Sequence, residues 1–138
     1  YAGGMADGHE LQAYLPGGAS GGILPATLAD LPLDFDTLAG QGAFVGSMAV
    51  VVLSQQDQVR EVASGLMRFF EHESCGQCTP CRAGTAQARA LMQAPVWDAD
   101  RLAELSQVMR DASICGLGQA APNPFDSVLR FFPREVQS

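Results

Sequence analysis

The chain has 138 residues, of which 47% are hydrophobic and 17% are charged, and this composition is typical of a globular protein with a packed core. Its net charge of −7 disfavours binding to nucleic acid or to anionic lipid surfaces, because both need clustered Lys and Arg side chains. The longest apolar stretch, residues 43–53, is far shorter than the ~20 residues that cross a bilayer, so we expect a soluble protein without membrane insertion.

The first part of the chain predicts short strands separated by turns. Residues 9–15 alternate apolar and polar side chains, and residues 49–53, AVVVL, are typical of a buried strand. Between them, the glycine-rich residues 17–26 lack the lysine and the spacing of phosphate-binding loops, so we interpret them as a flexible connector that buries little. Residues 31–38 predict a second, irregular connector.

Two strands alone form only a marginal sheet. The first residues, YAGG, are typical of the end of a helix, where glycine takes the left-handed conformation. We therefore expect further strands of this sheet to precede residue 1.

From residue 55 onward the apolar side chains recur every three or four residues, which predicts four short amphipathic helices in a small bundle. They cover residues 55–72, 82–93 and 98–112 and a segment that begins at residue 123. Asp98 and Asn123 are the predicted N-caps of the last two helices. The side chains predicted to be buried are Val59, Val62, Ala63, Leu66, Phe69, Phe70, Thr85, Ala88, Leu91 or Met92, Leu102, Leu105, Val108, Met109, Val128, Leu129 and Phe132.

The candidate site residues are Cys75, Cys78, Cys81 and Cys115. The first three have the C-x₂-C-x₂-C spacing, with which one tight loop presents three thiolates to a [4Fe-4S] cluster while a remote cysteine supplies the fourth. Gly76 allows a positive φ within this loop, and Pro80 stiffens it. The spacing therefore predicts that these four cysteines are the metal ligands of one [4Fe-4S] cluster.

Two arginines follow the third cysteine, Arg82 directly beside it and Arg89 two turns further along the predicted helix. A positive charge near a cluster favours the reduced state and raises the reduction potential. We therefore expect both arginines to tune the cluster.

Other chemistries are alternatives for these cysteines. A structural zinc site would make the chain a non-catalytic interaction module, but zinc ribbons combine two separated cysteine pairs, whereas here three cysteines lie together and one apart. Disulfides are disfavoured because a Cys75–Cys78 bond would strain a short loop and because crowded thiols indicate a reducing compartment, the cytoplasm. An enzyme with a reactive thiolate would need an oriented base, for which His72 is the nearby candidate. We expect His72 and His9 to be surface residues instead, and Trp97 to be a core residue.

Two longer motifs are more specific than the spacing alone. HESCGQCTPCRAGT at residues 72–85 and SICGLGQAAPNP at residues 113–124 resemble the C-terminal part of the flavin-carrying, NADH-reactive subunits of the respiratory complex I family. The resemblance covers essentially the whole chain and implies an α+β fold. A partial β-grasp module of the soluble-ligand-binding type would occupy residues 1–54, and an all-α, four-helix [4Fe-4S]-binding domain residues 55–138. The four cysteines match the family's cluster ligands.

The resemblance also implies a function in electron transfer. In the family, the cluster exchanges single electrons with FMN, which exchanges a hydride with NAD(H), and further iron–sulfur clusters continue the relay. The flavin and nucleotide site normally precedes the β-grasp module and is not in this chain, so FMN and NAD are expected cofactors of the intact subunit, and no catalytic residue is assigned here. The implied partners are the missing N-terminal part of the same subunit, a [2Fe-2S] thioredoxin-like subunit and a molybdenum-containing catalytic subunit.

Within the family, CGLGQAAPNP at residues 115–124 and FVGSMAVVVLS at residues 44–54 are most similar to beta subunits of soluble, molybdenum-dependent NAD⁺ formate dehydrogenases. The diaphorase subunits of NAD(P)-linked hydrogenases share the CGLGQ loop, and the complex I flavoprotein subunits are a further alternative. We therefore expect a fragment of an oxidoreductase, with formate as the first choice of substrate and with residues 116–119 approaching the flavin of the intact subunit.

Overall fold

The computed structural model describes residues 3–137, which form a small sheet followed mainly by helices. The strands are β1 (Leu11–Leu15), β2 (Leu24–Pro25) and β3 (Val51–Ser54). The helices are α1 (Phe35–Ala39), α2 (Val59–Glu73), α3 (Thr79–Met92), α4 (Ala99–Ala112), α5 (Gly116–Ala120) and α6 (Asn123–Phe131), with short 3₁₀ turns at Ala26–Leu28 and Pro133–Glu135. The predicted α+β class is confirmed.

The sheet is antiparallel, with β1 between β2 and β3. The strands predicted at residues 9–15 and 49–53 are confirmed in position to within two residues. The expected burial of the strand predicted at residues 49–53 is wrong, because Val50, Val51 and Val52 are 50%, 43% and 54% exposed. Since β3 is an edge strand of the described sheet, only its end, from Leu53, is covered by the helices.

The glycine-rich segment at residues 17–22 is largely buried, so the prediction of a flexible connector that buries little is wrong. Its backbone packs directly against a later loop around Phe44. A Cβ on Gly17 would lie 2.2 Å from the carbonyl oxygen of Phe44, and a Cβ on Gly21 would lie 2.7 Å from the same atom. The N–H of Phe44 donates to the carbonyl oxygen of Gly21 at 3.1 Å. These glycines are required for close backbone approach rather than for flexibility.

The four helices predicted after residue 55 are present as α2, α3, α4 and α6. Two side chains that the apolar period predicts as buried are exposed, Phe69 by 47% and Val108 by 53%, and the neighbouring residues Phe70 and Met109 occupy the inward positions instead. The fully or almost fully buried side chains of these helices include Val59, Ala63, Met67, Phe70, Thr85, Ala88, Met92, Leu102, Met109, Phe125 and Val128. Among residues 3–137, no helix combines the length and the apolar character that a membrane crossing needs.

Of the two predicted N-caps, one is confirmed and the other is wrong. Asp98 caps α4, because its side chain accepts a hydrogen bond from the N–H of Arg101 at 3.1 Å. The prediction for Asn123 is wrong, since Asn123 is already the first residue of α6 and its side chain makes no cap bond. Instead, its amide donates to the carbonyl oxygen of Ser20 at 2.7 Å and its side-chain oxygen accepts from Arg110 at 2.7 Å. Asn123 therefore joins the helices to the glycine-rich segment.

Sequence periodicity misses two short helices. α1 lies in the segment predicted as an irregular connector, where Asp34 caps it by accepting from the N–H of Thr37 at 2.7 Å. α5 follows Cys115 directly, so the chain has five helices after β3 within the described residues rather than the expected four. Helices this short do not complete enough turns to display a period.

One cluster of buried side chains joins the sheet to the helices. It contains Leu15 and Leu53 from the strands together with Met67 and Phe125 from the helices. Trp97 is part of it, 3% exposed as predicted. The predicted division after residue 54 falls at the end of β3, and it stays a prediction.

Candidate metal centre

The three clustered cysteines lie in and just after the loop that connects α2 to α3. Cys78 is the residue before α3, and Cys81 lies in the first turn of that helix. Gly76 has a φ of 76°, the left-handed conformation expected for it. Cys75 is exposed, Cys78 is half-buried and Cys81 is only 5% exposed. The three thiols therefore extend from the surface into the protein.

Side chains at both ends hold this loop in shape. The guanidinium group of Arg82 donates to the carbonyl oxygen of Gly76 at 2.5 Å, and its second terminal nitrogen lies 3.5 Å from Thr79 Oγ1. The hydroxyl of Ser74 accepts a hydrogen bond from the N–H of Gly76 at 3.4 Å and lies 3.3 Å from Cys81 Sγ. The loop is thus fixed by its own first residue and by an arginine that follows its last cysteine.

The fourth cysteine arrives on a second loop, between α4 and α5. Cys115 is the residue before α5, and Gly118 of that helix packs tightly against the first cysteine loop. A Cβ on Gly118 would lie 2.5 Å from Ser113 Oγ and 2.8 Å from Cys81 Cβ. Only glycine permits this approach, since real Cβ atoms do not come so close to other atoms. Gly118 therefore allows α5 to bring Cys115 next to α3.

The titration behaviour of Cys81 reflects this convergence. Burial raises the pKa of the Cys81 thiol, and the negative charges of Cys78, Cys115 and Cys75 raise the same pKa further, while a hydrogen bond from Ser74 acts in the opposite direction. Burial and the neighbouring thiolates thus disfavour the thiolate form of Cys81 in the absence of metal.

Cys78 lies where the two cysteine loops meet. The pKa of its thiol is lowered, chiefly because the backbone N–H groups of Ile114 and Cys81 donate to its sulfur, and the hydroxyl of Ser113 contributes in the same direction. Donors from both loops thus favour the thiolate form of Cys78, which is the form that binds metal.

The residues of this site fit a [4Fe-4S] cluster. Four thiols from two loops are the ligands that such a cluster takes. The buried hydroxyl of Ser113 lies near Cys78 but makes no well-formed hydrogen bond within the described residues. A buried hydroxyl needs an acceptor, and a metal-bound thiolate or a sulfide would provide one. The fit rests on the chemistry of these groups, since within residues 3–137 no three or more His, Cys, Asp or Glu side chains stand in an arrangement that could hold a metal ion.

The other predicted residues have different surroundings. Arg89 Nη1 lies 2.5 Å from Glu71 Oε2. This ion pair partly neutralises the charge of Arg89 and weakens its effect on the cysteines. His72 is exposed, as predicted, and its Nδ1 lies 2.9 Å from Glu73 Oε1 rather than beside a cysteine. His9 is half-buried and precedes β1, outside the cysteine site.

Sequence reasoning misses two residues of the site, Ser74 and Ser113. Each lies within three residues of a candidate ligand, which is the only indication of their roles that the sequence contains. The place of Ser113 beside Cys81 depends on the return of the second loop to the first, which the spacing along the chain does not report.

Comparison with known proteins agrees with this geometry. The sequence profile of the "NADH-ubiquinone oxidoreductase-F iron-sulfur binding region" matches residues 61–138, more than half of the chain. An NADH-quinone oxidoreductase subunit of Rickettsia rickettsii (strain Sheila Smith) is 35% identical over 145 residues, covering 100% of this chain and 34% of the relative. The NADP-reducing hydrogenase subunit HndC of Solidesulfovibrio fructosivorans is 35% identical over 142 residues, covering 99% of this chain and 29% of the relative.

A solved crystal structure is also similar to the chain. The crystal structure of an NAD⁺-reducing [NiFe]-hydrogenase in the H2-reduced state superposes with a TM-score of 0.79 and 34% identity, covering 91% of this chain and 22% of the solved chain. The chain spans about a third or less of the length of the curated relatives that it matches. Because the profile covers most of the chain, including all four cysteines, the chain belongs to the family of the NADH-ubiquinone oxidoreductase-F iron–sulfur binding region.

Proposed function

We propose that Cys75, Cys78, Cys81 and Cys115 hold a [4Fe-4S] cluster and that the chain transfers single electrons within an NAD(H)-dependent oxidoreductase. The observation that supports this most directly is the close approach of Gly118, three residues after Cys115, to Cys81 in the first turn of α3, because it brings the two cysteine loops together. Membership of an iron–sulfur binding family supports the same cofactor. When bound, the cluster would supply the one-electron redox chemistry, because side chains do not supply it.

The chain's own residues contribute position and environment. The buried Cys81 holds the inner side of the site, whereas the exposed Cys75 and Cys115 lie on its outer side. Arg82 lies beside the site and favours its more negative, reduced state. A site that is covered on one side and open on the other can exchange electrons with a protein docked on the open side.

The ligand assignment is tested by replacing each cysteine with serine in protein prepared without oxygen. We expect the unmodified protein to contain iron and acid-labile sulfide in equal amounts and to give an electron paramagnetic resonance spectrum after reduction. Each serine variant should lose most of both. Ser64→Ala is the matched control, because the Ser64 hydroxyl bonds to the carbonyl oxygen of Arg60 within α2, away from the cysteines, and this variant should keep the cluster.

A zinc-stabilised interaction module is the competing function of a different class. It predicts a colourless protein that contains zinc but neither iron nor sulfide and that shows no redox activity. That metal content in anaerobically prepared protein would contradict the electron-transfer function.

We further propose that the chain acts as part of a longer subunit. Residues 1–54 would form a partial β-grasp module and residues 55–138 the cluster domain, while a preceding part of the subunit binds FMN and NAD(H). The partners would be a [2Fe-2S] thioredoxin-like subunit and a catalytic subunit, all in the cytoplasm. The partial coverage of the longer relatives supports this organisation.

Formate is the proposed substrate of the complex, oxidised at a molybdenum-containing subunit. The residues that favour it are CGLGQAAPNP at 115–124 and FVGSMAVVVLS at 44–54, which resemble the beta subunits of NAD⁺ formate dehydrogenases. Hydrogen is the second candidate, because a hydrogenase subunit and a solved NAD⁺-reducing hydrogenase are both similar to the chain.

The two candidates differ in metal and in substrate. The intact complex, purified through a tag on the subunit that contains this chain, would be assayed for NAD⁺ reduction by formate and by hydrogen and for NADH oxidation by ubiquinone. We expect formate-dependent NAD⁺ reduction and molybdenum in the complex. Nickel with hydrogen-dependent activity, or quinone-dependent activity without molybdenum, would contradict the formate proposal while leaving the electron-transfer function in place.

A further inference from the structure

We infer that the hydroxyls of Ser74 and Ser113 donate hydrogen bonds to sulfur at the metal centre and thereby raise the reduction potential of the cluster. This inference rests on the proposed function, because it requires the four cysteines to hold a cluster. It assigns to both serines a role in positioning and tuning, exerted through the ligands.

The direction of the Ser74 hydrogen bond follows from its two contacts. Its oxygen accepts from the N–H of Gly76 at 3.4 Å, which uses a lone pair and leaves the hydroxyl proton free. The atom at hydrogen-bond distance for that proton is Cys81 Sγ, at 3.3 Å. An iron-bound thiolate carries no proton and can only accept. Ser74 is therefore the donor to Cys81.

Ser113 lies on the second loop, two residues before Cys115. It is 5% exposed, and its hydroxyl makes no well-formed hydrogen bond within the described residues. A Cβ on Gly118 would lie 2.5 Å from Ser113 Oγ and 2.8 Å from Cys81 Cβ. The Ser113 hydroxyl therefore lies beside Cys81. The backbone N–H of Ser113 already donates to the carbonyl oxygen of Met109 at 3.2 Å, which fixes the loop without the side chain. The hydroxyl is free for an acceptor that the metal centre provides.

The sign of the effect follows from the charge of the cluster. Reduction adds a negative charge to the cluster and its thiolates, so a donor to sulfur stabilises the reduced state more than the oxidised state. A single hydrogen bond contributes about 0.5–1.5 kcal/mol, which is roughly a two- to tenfold change in an equilibrium constant. Because only the difference between the two states counts, we expect each hydroxyl to raise the equilibrium constant for reduction by up to about tenfold, where tenfold is ~59 mV for a one-electron couple.

The test is a redox titration of the cluster-loaded protein, monitored by electron paramagnetic resonance, with unmodified protein, Ser74→Ala, Ser113→Ala and the double variant. We expect each single variant to lower the midpoint potential, the double variant to lower it further, and iron content to stay unchanged. Ser74→Thr keeps the hydroxyl and should return the potential to that of the unmodified protein. Ser64→Ala removes a hydroxyl of the same kind away from the cysteines and should have no effect.

A second measurement does not depend on whether a variant takes up the cluster. Electron–nuclear double resonance of the reduced, unmodified protein, recorded soon after transfer to D2O, should lose proton couplings that belong to the rapidly exchanging hydroxyls. Full retention of the proton couplings after exchange would overturn the inference.

The outcomes also separate this inference from the function on which it rests. Midpoint potentials of Ser74→Ala and Ser113→Ala that equal the potential of Ser64→Ala would overturn the role of the serines, while a loaded cluster would still support the proposed function. Absence of a cluster from the unmodified protein would overturn both.

Discussion

Gly118→Ala is the substitution with which the arrangement of the two cysteine loops can be tested most directly. The added methyl group would lie 2.6 Å from Ser113 Cβ and 2.8 Å from Cys81 Cβ. Neither neighbour can rotate away, because both Cβ atoms are fixed by the backbone. The added volume therefore has to be accommodated by movement of α5 away from both α3 and the end of α4.

The size of this separation can be estimated from contact distances. Carbon atoms in contact are about 3.5–4.0 Å apart, so α5 must move by roughly 1 Å. Overpacking of this kind costs ~1–3 kcal/mol of unfolding free energy, and the higher helix propensity of alanine offsets up to ~1 kcal/mol of it. Metal–ligand distances tolerate only about 0.2 Å. We therefore expect a net loss of up to ~3 kcal/mol of unfolding free energy. We also expect most of the cluster to be lost, because Cys115 moves away from the other ligands.

The assay is the iron and sulfide content per chain after anaerobic reconstitution, together with thermal unfolding, in which 1 kcal/mol corresponds to roughly 4 °C. Gly116→Ala is the control, because it adds the same methyl group to the same helix and that group meets no protein atom within 4 Å. Gly118→Ala should contain much less iron and unfold at a lower temperature than Gly116→Ala. Equal iron content and equal unfolding temperatures in the two variants would refute the proposed convergence.

Three further predictions concern the helices and the loop. A methyl group on Gly84 would lie 2.6 Å from a side chain of α4, whereas one on Gly65 would meet nothing within 4 Å. In urea titrations, Gly84→Ala should therefore lower the unfolding free energy by ~1–2 kcal/mol, and Gly65→Ala should raise it by up to ~1 kcal/mol. Unfolding free energies that change in the same direction in both variants would contradict the predicted packing of α3 on α4. Asp98→Ala should cost ~1 kcal/mol because it removes the cap of α4, whereas Asp100→Ala, in the same turn, should cost less than about 0.5 kcal/mol by thermal unfolding. Arg82→Met should lower the midpoint potential of the cluster in a redox titration and Arg82→Lys should largely preserve it; equal potentials would show that the charge does not reach the cluster.

The helices and the cysteine pattern are the parts that sequence reasoning predicts well. Apolar side chains repeat over several turns in α2 and α4, so their positions follow from the period, and only residues at the margin of the buried stripe, such as Phe69 and Val108, are misplaced. The assignment of the four cysteines as ligands is still a prediction, although the contact of Gly118 with Cys81 brings their loops together.

The glycine-rich segment and β3 are the parts that sequence reasoning predicts poorly. Nothing near Gly17 indicates that its backbone will touch the carbonyl group of Phe44, because that contact joins residues far apart in the chain. β3 is composed of residues that favour burial, yet its position at the edge of the described sheet leaves Val51 and Val52 exposed. Burial of a strand depends on its neighbours, and the sequence of the strand does not specify them.

The cluster of buried side chains shared by strands and helices has a consequence for how the protein comes apart. Leu15 and Leu53 pack in the same core as Met67 and Phe125, so separating the strands from the helices would expose apolar surface on both. Amide hydrogens of β1 and of α2 should therefore exchange with solvent through the same cooperative opening. Because Ala88 and Met92 of α3 belong to the same core, damage to the metal centre that loosens α3 would also destabilise the sheet.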